Sequence, residues 1–215
     1  MVLARKLDVI DRKLEKLAGS VAEVKDEVIW LQKVGDIERS ARLAACLDDA
    51  QWREQTGRMQ EIGSLRREFT EAHHAYAMLM RQMAADARSH GHHEVYQSFF
   101  HYCALAGVAK IRTDWLLDGA EAAARTQGQV AAALAAARSQ FVDPMRNFEP
   151  AALLHLPPTA LPGLKRTTAI IAEDLNRVHS YGLEIEWCQR NGISLREWDE
   201  LGRGEQAPLL LVRAA

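Results

Sequence analysis

Residues 99–117 read FFHYCALAGVAKIRTDWLL, the most apolar stretch of the chain. Their apolar side chains recur at the spacing of an α-helix, which predicts a long buried helix. Lys110, Arg112 and Asp114 interrupt the stretch, so it lacks the run of about 18 apolar residues that a membrane-spanning helix needs. We therefore expect it to be a central helix of a folded core and not a membrane span.

The helical spacing continues in both directions from this stretch. It predicts long helices over residues 50–89 and 164–191, and it extends the central helix over residues 93–148. A short helix is expected over residues 36–47, and no segment has the period of two residues that indicates a strand. The predicted fold class is all-α, with an N-terminal coiled-coil helix followed by an elongated antiparallel helical bundle.

Proline, glycine and capping residues divide the chain into four parts. Residues 1–35 form a predicted coiled-coil oligomerisation helix, and residues 36–148 form a long helical hairpin. Four prolines interrupt residues 149–163, whose leucines indicate an ordered loop held on the bundle. Residues 164–215 supply the C-terminal helix and a short capping helix packed on the bundle. The capping box SLRE at residues 194–197 predicts where the short helix starts.

Residues 3–34, LARKLDVIDRKLEKLAGSVAEVKDEVIWLQKV, carry an apolar side chain at alternating steps of four and three. A strict heptad repeat of this kind presents one narrow apolar seam to a partner helix. We call these predicted oligomerisation residues the heptad stripe: Leu3, Leu7, Ile10, Leu14, Leu17, Val21, Val24, Val28 and Leu31.

The heptad stripe can be buried in two ways. It can fold back on helices of its own chain, or it can join copies of itself in a parallel coiled coil. The narrow seam favours self-association, because helices inside globular bundles usually have a wider apolar face. Leucine at a positions, Ile10 and Val24 at d positions and the lack of a buried Asn or Lys favour a trimer or tetramer over a dimer.

Charge and cysteine content restrict the class of protein. The 215 residues include 27 Lys and Arg against 29 Asp and Glu, so no global field favours nucleic acid. Cys46, Cys103 and Cys188 are far apart and lack a metal-binding spacing, which predicts buried thiols in a reducing cytoplasm. The N-terminal MVLARKLDV has no uncharged apolar run of the kind found in signal peptides. We expect a cytoplasmic protein with no cofactor, no nucleic-acid partner and no membrane span.

Glu71 and His74 are the most suggestive pair for metal chemistry. Their spacing places a carboxylate and an imidazole on one helical face, as in the dimetal sites of ferritin-like bundles. Such a site needs about six ligands, and the chain has no second pair at this spacing. The remaining ligands would have to come from other predicted positions: His93, Glu94, His101, Glu173 and His179.

A simpler interpretation of this segment requires no metal. Glu71 and His73 then face solvent, while His74 borders an apolar seam and makes a local hydrogen bond. A single Glu-x-x-His match arises readily in a polar helix. The sequence also lacks a nucleophile elbow or a phosphate-binding loop, so no catalytic residue is predicted.

These features predict a non-enzymatic, oligomeric helical scaffold or adaptor that mediates protein–protein interaction with an unidentified partner. Large apolar side chains that the helical stripes do not explain are the predicted contact residues: Trp30, Trp187, Trp198, Leu209, Leu210 and Leu211. Two alternatives stay open. One is a membrane-active helical toxin or defence effector that exposes the Ala-rich residues 120–148 to lipid. The other is a ferritin-like dimetal carboxylate protein.

Overall fold

The computed structural model describes residues 35–89, 92–147 and 160–203. The heptad stripe, residues 149–159 of the Pro-rich segment and Leu209–Leu211 lie outside these ranges, so the expectations about them stay predictions. Residues 160–163, predicted as the end of the Pro-rich loop, are instead the first turn of a helix, in which Pro162 is tolerated because the first turn needs no backbone N–H donor. The chain divides into two compact units, Met1–Ala44 and Ala45–Ala215. In the first unit the described residues, 35–44, are helical, and Arg39 Nη1 lies 2.6 Å from Asp36 Oδ1.

In the described ranges of the second unit helices are joined by short turns and no strand occurs, which confirms the all-α class. Residues 45–55 of this unit are helical, and we call this segment α1. It has no break at residues 48–50, where the sequence predicts that one helix ends and another begins. A single 3-10 turn follows at Met59–Glu61. The remaining helices are α2, Gly63–Ser89; α3, His93–Asp118; α4, Ala120–Arg146; α5, Ala160–Asn191; and α6, Leu195–Arg203.

α1 and α2 are separate helices, although the sequence predicts one helix over residues 50–89. The Arg53 guanidinium donates two hydrogen bonds to the Asp49 carboxylate, at 2.9 and 2.6 Å. The two residues are one helical turn apart, so this ion pair stabilises α1. After α1, Gly57 adopts a φ of 74°, a left-handed conformation that favours glycine. Arg53 Nη1 then donates to Ser64 Oγ at 2.8 Å, which ties α1 to the start of α2.

Gly119 separates α3 from α4, where the sequence predicts a single helix over residues 93–148. Its φ of 85° again lies in the left-handed region, and the chain reverses direction there. α4 returns antiparallel along α3, since Tyr96 near the start of α3 donates to the carbonyl oxygen of Ala137 at 2.7 Å and stacks on Phe141. The prediction was wrong because helical spacing persists on both sides of the single residue at which the chain turns.

α3 and α4 are the central pair of the bundle, because α2 and α5 each pack on both of them. α5 runs parallel to α3. Thr167 Oγ1 donates to Gln97 Oε1 at 3.3 Å, and further along both helices the rings of Tyr181 and Trp115 lie 6.0 Å apart. α3 is therefore covered by neighbouring helices on three sides, in agreement with its strongly apolar sequence.

Every long helix contributes large side chains to one core. Those with almost no exposed surface are Phe69, Tyr76 and Met80 of α2, Tyr96, Phe100 and Ile111 of α3, Val130, Leu134 and Phe141 of α4, and Ile171 and Ile185 of α5. Burial of a side chain of this size stabilises a fold by about 1.5–3 kcal/mol. The long helices therefore hold one another in place through shared apolar contacts.

A buried carboxylate joins three of these helices. The Asp114 side chain on α3 is 3% exposed, and Arg66 Nε on α2 lies 2.6 Å from its Oδ1 atom. Thr126 on α4 donates its hydroxyl hydrogen to the other carboxylate oxygen. Arg66 also lies 2.7 Å from Asp118, so the start of α2 is beside the end of α3 and the two helices are antiparallel.

The Ala-rich stretch proposed to contact lipid forms most of α4. Its apolar face, which includes Ala123, Val130, Leu134 and Phe141, is buried in the bundle. Exposing that face to a bilayer would require α4 to leave the core. None of the helices in the described ranges combines the length and apolar composition that a membrane crossing demands.

Candidate partner-binding groove

A groove with an apolar floor runs between α3 and α5, and we call it the α3–α5 groove. Its floor includes Ala104, Leu105 and Val108 of α3 together with Val178 and Tyr181 of α5, and its volume is about 550 Å³. Because α3 and α5 run parallel, the groove follows the direction of two helix axes.

The groove is open because α3 carries more apolar surface than its three helical neighbours cover. Phe100, Cys103 and Ile111 point into the core and have no exposed surface. Leu105, on another face of the same helix, is 36% exposed, and Val108 is half-buried. A helix that is apolar on all sides is normally buried on all sides. One face of α3 is thus only partly covered by the described chain.

Charged side chains form the rim of the groove. His101 Nδ1 on α3 lies 3.1 Å from Asp174 Oδ2 on α5. Arg177 Nη2 lies 2.6 Å from Glu173 Oε1, and its Nη1 atom lies 3.7 Å from Asp174 Oδ1. With Glu184, the rim has three carboxylates and one arginine. The rim is therefore acidic, although the whole chain is nearly neutral.

Asp174 and His101 position each other at this rim. The Asp174 side chain is 6% exposed and the His101 side chain 42% exposed. A carboxylate acceptor beside Nδ1 favours the imidazole tautomer with its proton on that nitrogen. The pair thus joins α3 to α5 and holds a carboxylate at the boundary between the apolar floor and solvent.

Leu105 and Val108 also border a second depression, on the side of α3 that faces α1 and α2. Its volume is about 240 Å³, and Leu47 and Phe69 are among its apolar lining residues. Leu105 and Val108 therefore line both the floor of the α3–α5 groove and this second depression.

Arg112, further along the same face of α3, joins α1 to α6. Its guanidinium donates hydrogen bonds to the carboxylates of Glu54 on α1 and Asp199 on α6. Burial disfavours the charge of Arg112, but these hydrogen bonds outweigh it and raise the pKa above its usual value. Burial also raises the pKa of the nearby Tyr181 to about 12. Sequence spacing does not reveal this network, because its members come from three separate helices.

Two of the predicted contact residues lie beside the groove. Trp187 on α5 and Trp198 on α6 pack against each other, with ring centroids 5.2 Å apart, and both are half-buried. Trp198 Nε1 donates to Glu184 Oε2 at 3.2 Å, which links the pair to the rim. Each indole ring therefore covers part of the other. Trp30 lies outside the described residues, as do Leu209–Leu211.

The predicted metal ligands are spread over several positions. His101 and Glu173 line the α3–α5 groove, whereas the other candidates do not: Glu71, His74, His93, Glu94 and His179. Glu71 is paired instead with Arg67, at 2.6 Å. In residues 35–89, 92–147 and 160–203, no three His, Cys, Asp or Glu side chains are grouped so that they could hold one metal ion. The dimetal site stays a prediction without a ligand cluster in these ranges.

α2 buries His73 and exposes His74, the reverse of the simpler interpretation of this segment. His73 Nδ1 lies 3.0 Å from the carbonyl oxygen of Cys103 and 3.3 Å from its Sγ atom. Burial lowers the pKa of His73 and raises the pKa of the Cys103 thiol to about 12. Both groups are therefore neutral at physiological pH, which is unlike the thiolate of a nucleophilic cysteine.

The fold and the groove define the class of protein as an all-α helical bundle with a partly uncovered apolar face. Comparison with family models, curated proteins and solved structures finds no significant match for this chain. The proposals for its function therefore rest on the geometry of the groove and on the sequence of the heptad stripe.

Proposed function

We propose that the protein is a non-enzymatic, oligomeric scaffold or adaptor, and that the α3–α5 groove is its contact surface for a protein partner. The observation that carries this proposal is the apolar floor of the groove, where Leu105 and Val108 are only partly covered. Contiguous apolar surface framed by polar residues is typical of interaction sites.

In this proposal the heptad stripe joins several copies of the chain. Its nine apolar residues at heptad spacing favour a parallel coiled coil of three or four helices over a dimer. An oligomer would present several grooves at once, and simultaneous contacts strengthen weak binding through effective concentration. The location we propose is the cytoplasm, where thiols such as Cys103 stay reduced.

The mass of the full chain in solution tests the oligomeric part of the proposal. We expect sedimentation equilibrium to give three or four times the mass of one chain. Replacing two stripe residues, Leu14→Asp with Leu17→Asp, should give a monomer, because buried charges without partners are strongly unfavourable in a coiled coil. A chain beginning at Asp36 should also be monomeric. If the unaltered chain is already monomeric, the scaffold proposal is wrong.

A further inference from the structure

We propose that the α3–α5 groove binds an amphipathic helix of a partner protein, whose apolar face is flanked by lysine or arginine side chains. This inference rests on the proposed scaffold function and names the partner chemistry of its contact surface. Shape, apolar floor and rim charge each support it.

The shape of the groove fits a helix. Its floor lies between two parallel helices, and the α3 part extends from His101 to Val108, about two helical turns or roughly 10 Å. A third helix can lie along such a groove and place side chains from successive turns into it. Ala104 adds little bulk to the floor, whereas Leu105 and Val108 offer apolar surface for the partner to cover.

The charge of the rim specifies the flanks of the partner helix. Glu173, Asp174 and Glu184 line the groove against one cation, Arg177. The chain as a whole has 27 basic and 29 acidic residues, so this excess of carboxylates is local. Opposite charge across an interface accelerates association and rejects partners of the wrong sign. A lysine- or arginine-flanked helix is complementary, whereas phosphate groups of nucleic acid or anionic lipid are not.

A synthetic helical peptide with leucine on one face and lysine on the other provides the probe. Binding to the full chain is measured by fluorescence anisotropy, beside a peptide in which glutamate replaces every lysine. We expect the Leu/Lys peptide to bind and the Leu/Glu peptide to bind at least about tenfold more weakly. Absence of binding by the Leu/Lys peptide, or equal binding by both, overturns the inference.

Two substitutions with matched controls locate the binding site. Leu105→Asp should weaken binding of the Leu/Lys peptide about tenfold or more, because it places a charge at the centre of the apolar contact. Leu183→Asp is the control, since Leu183 is also an exposed leucine and does not line the groove. Equal affinity of Leu105→Asp and the unaltered chain contradicts the proposed site.

Glu173→Gln tests the rim without touching the apolar floor. It should weaken binding several-fold, whereas Glu186→Gln should leave it unchanged. The two positions are matched, because each glutamate pairs with an arginine four residues later on α5 and only Glu173 lines the groove. Both substitutions lie on exposed surface, so this comparison holds even if Leu105→Asp fails to fold. Equal effects of the two substitutions would mean general attraction to an acidic surface and would overturn the inference.

The same measurements separate this inference from the scaffold proposal. Peptide binding should persist in the Leu14→Asp, Leu17→Asp variant, because the heptad stripe is not the proposed site. If that variant no longer binds, the peptide had joined the stripe and the groove inference is wrong. If Leu105→Asp changes the mass of the unliganded oligomer, the groove is an interface between copies, which also overturns it. If the chain is an oligomer but does not bind the peptide, the groove inference is wrong and the oligomeric scaffold is still supported. If the chain is a monomer and binds the peptide, the oligomeric scaffold is wrong and the groove inference is still supported.

Discussion

Thr126→Val removes one hydrogen bond from the buried Asp114 carboxylate and changes little else. Valine has nearly the same shape as threonine and a similar helix propensity, and the Thr126 hydroxyl donates directly to Asp114. A hydrogen bond to a charged group contributes about 1.5–3 kcal/mol. Because the Asp114 side chain is only 3% exposed, water cannot easily replace the lost donor. We expect the free energy of unfolding to fall by about this amount.

Thr113→Val provides the matched control for this prediction. Thr113 is also a buried threonine within a helix, but its hydroxyl donates to the backbone carbonyl of Ala109 at 2.8 Å, one turn earlier. That carbonyl belongs to the backbone ladder of the helix, and such side-chain bonds add little stability. We expect Thr113→Val to change the free energy of unfolding by less than about 0.5 kcal/mol.

Urea unfolding followed by circular dichroism, at one fixed protein concentration, measures both changes. For a chain of this length, the predicted loss for Thr126→Val corresponds to a melting temperature lower by roughly 3–12 °C. In an Asp114→Ala background the effect of Thr126→Val should disappear, since the acceptor is absent. Equal losses for the two threonine variants, or an undiminished loss in the Asp114→Ala background, would refute the assigned role of Asp114.

Three further predictions concern buried groups and close helix contacts. Burial holds the pKa of His73 below its usual 6.5. The unfolded chain therefore takes up this proton at a higher pH than the folded chain, and the free energy of unfolding should decrease as pH falls through about 6.5. Urea unfolding over a pH series should show a smaller decrease for His73→Gln, and an equal decrease in both proteins would contradict this prediction. Burial raises the pKa of the Cys103 thiol to about 12, so a thiol reagent at mildly alkaline pH should modify Cys103 only after the chain unfolds. Peptide mapping detects the modification, and rapid labelling of Cys103 in the folded chain would contradict its burial. Gly107→Ala should destabilise the bundle, because the new Cβ would lie 2.5 Å from a side-chain carbon of Val130. Gly128→Ala should stabilise it by up to about 1 kcal/mol, because a Cβ there meets no atom within 4 Å. Melting temperatures that shift in the same direction for both variants would contradict the close packing at Gly107.

The turns between helices were the least predictable part of the fold. Gly57 and Gly119 each adopt a left-handed backbone conformation and end a helix, yet Gly107 and Gly128 lie within helices. All four are single glycines among residues with helical spacing. Whether a glycine turns the chain depends on whether the following helix can pack back on the preceding one, as α4 does on α3. The packing of one helix on the other is a tertiary contact, which the sequence around the glycine does not specify.

The sequence singled out only some of the residues that form the α3–α5 groove. His101 and Glu173 were proposed as metal ligands, and the fold brings both to one rim, where they sit beside Asp174 and Arg177. Trp187 and Trp198 were proposed as contacts, and they lie next to that rim through Glu184. The partial exposure of Leu105 could not be predicted, because its apolar neighbours in sequence, such as Phe100 and Cys103, are fully buried.

The sequence by itself determined the helical class and the local ends of some helices. Apolar spacing specifies a helix within a few turns, and the capping box at Ser194 forms as predicted, with the Ser194 backbone N–H donating to Glu197 at 2.7 Å. Only the tertiary structure decided which of two adjacent histidines is buried and which face of α3 stays open. Neighbouring residues on a helix point about 100° apart. Rotating α2 about its axis relative to α3 and α4 would therefore expose one of the two histidines and bury the other. That rotation is set by the combined packing of all the long helices, which no single segment encodes.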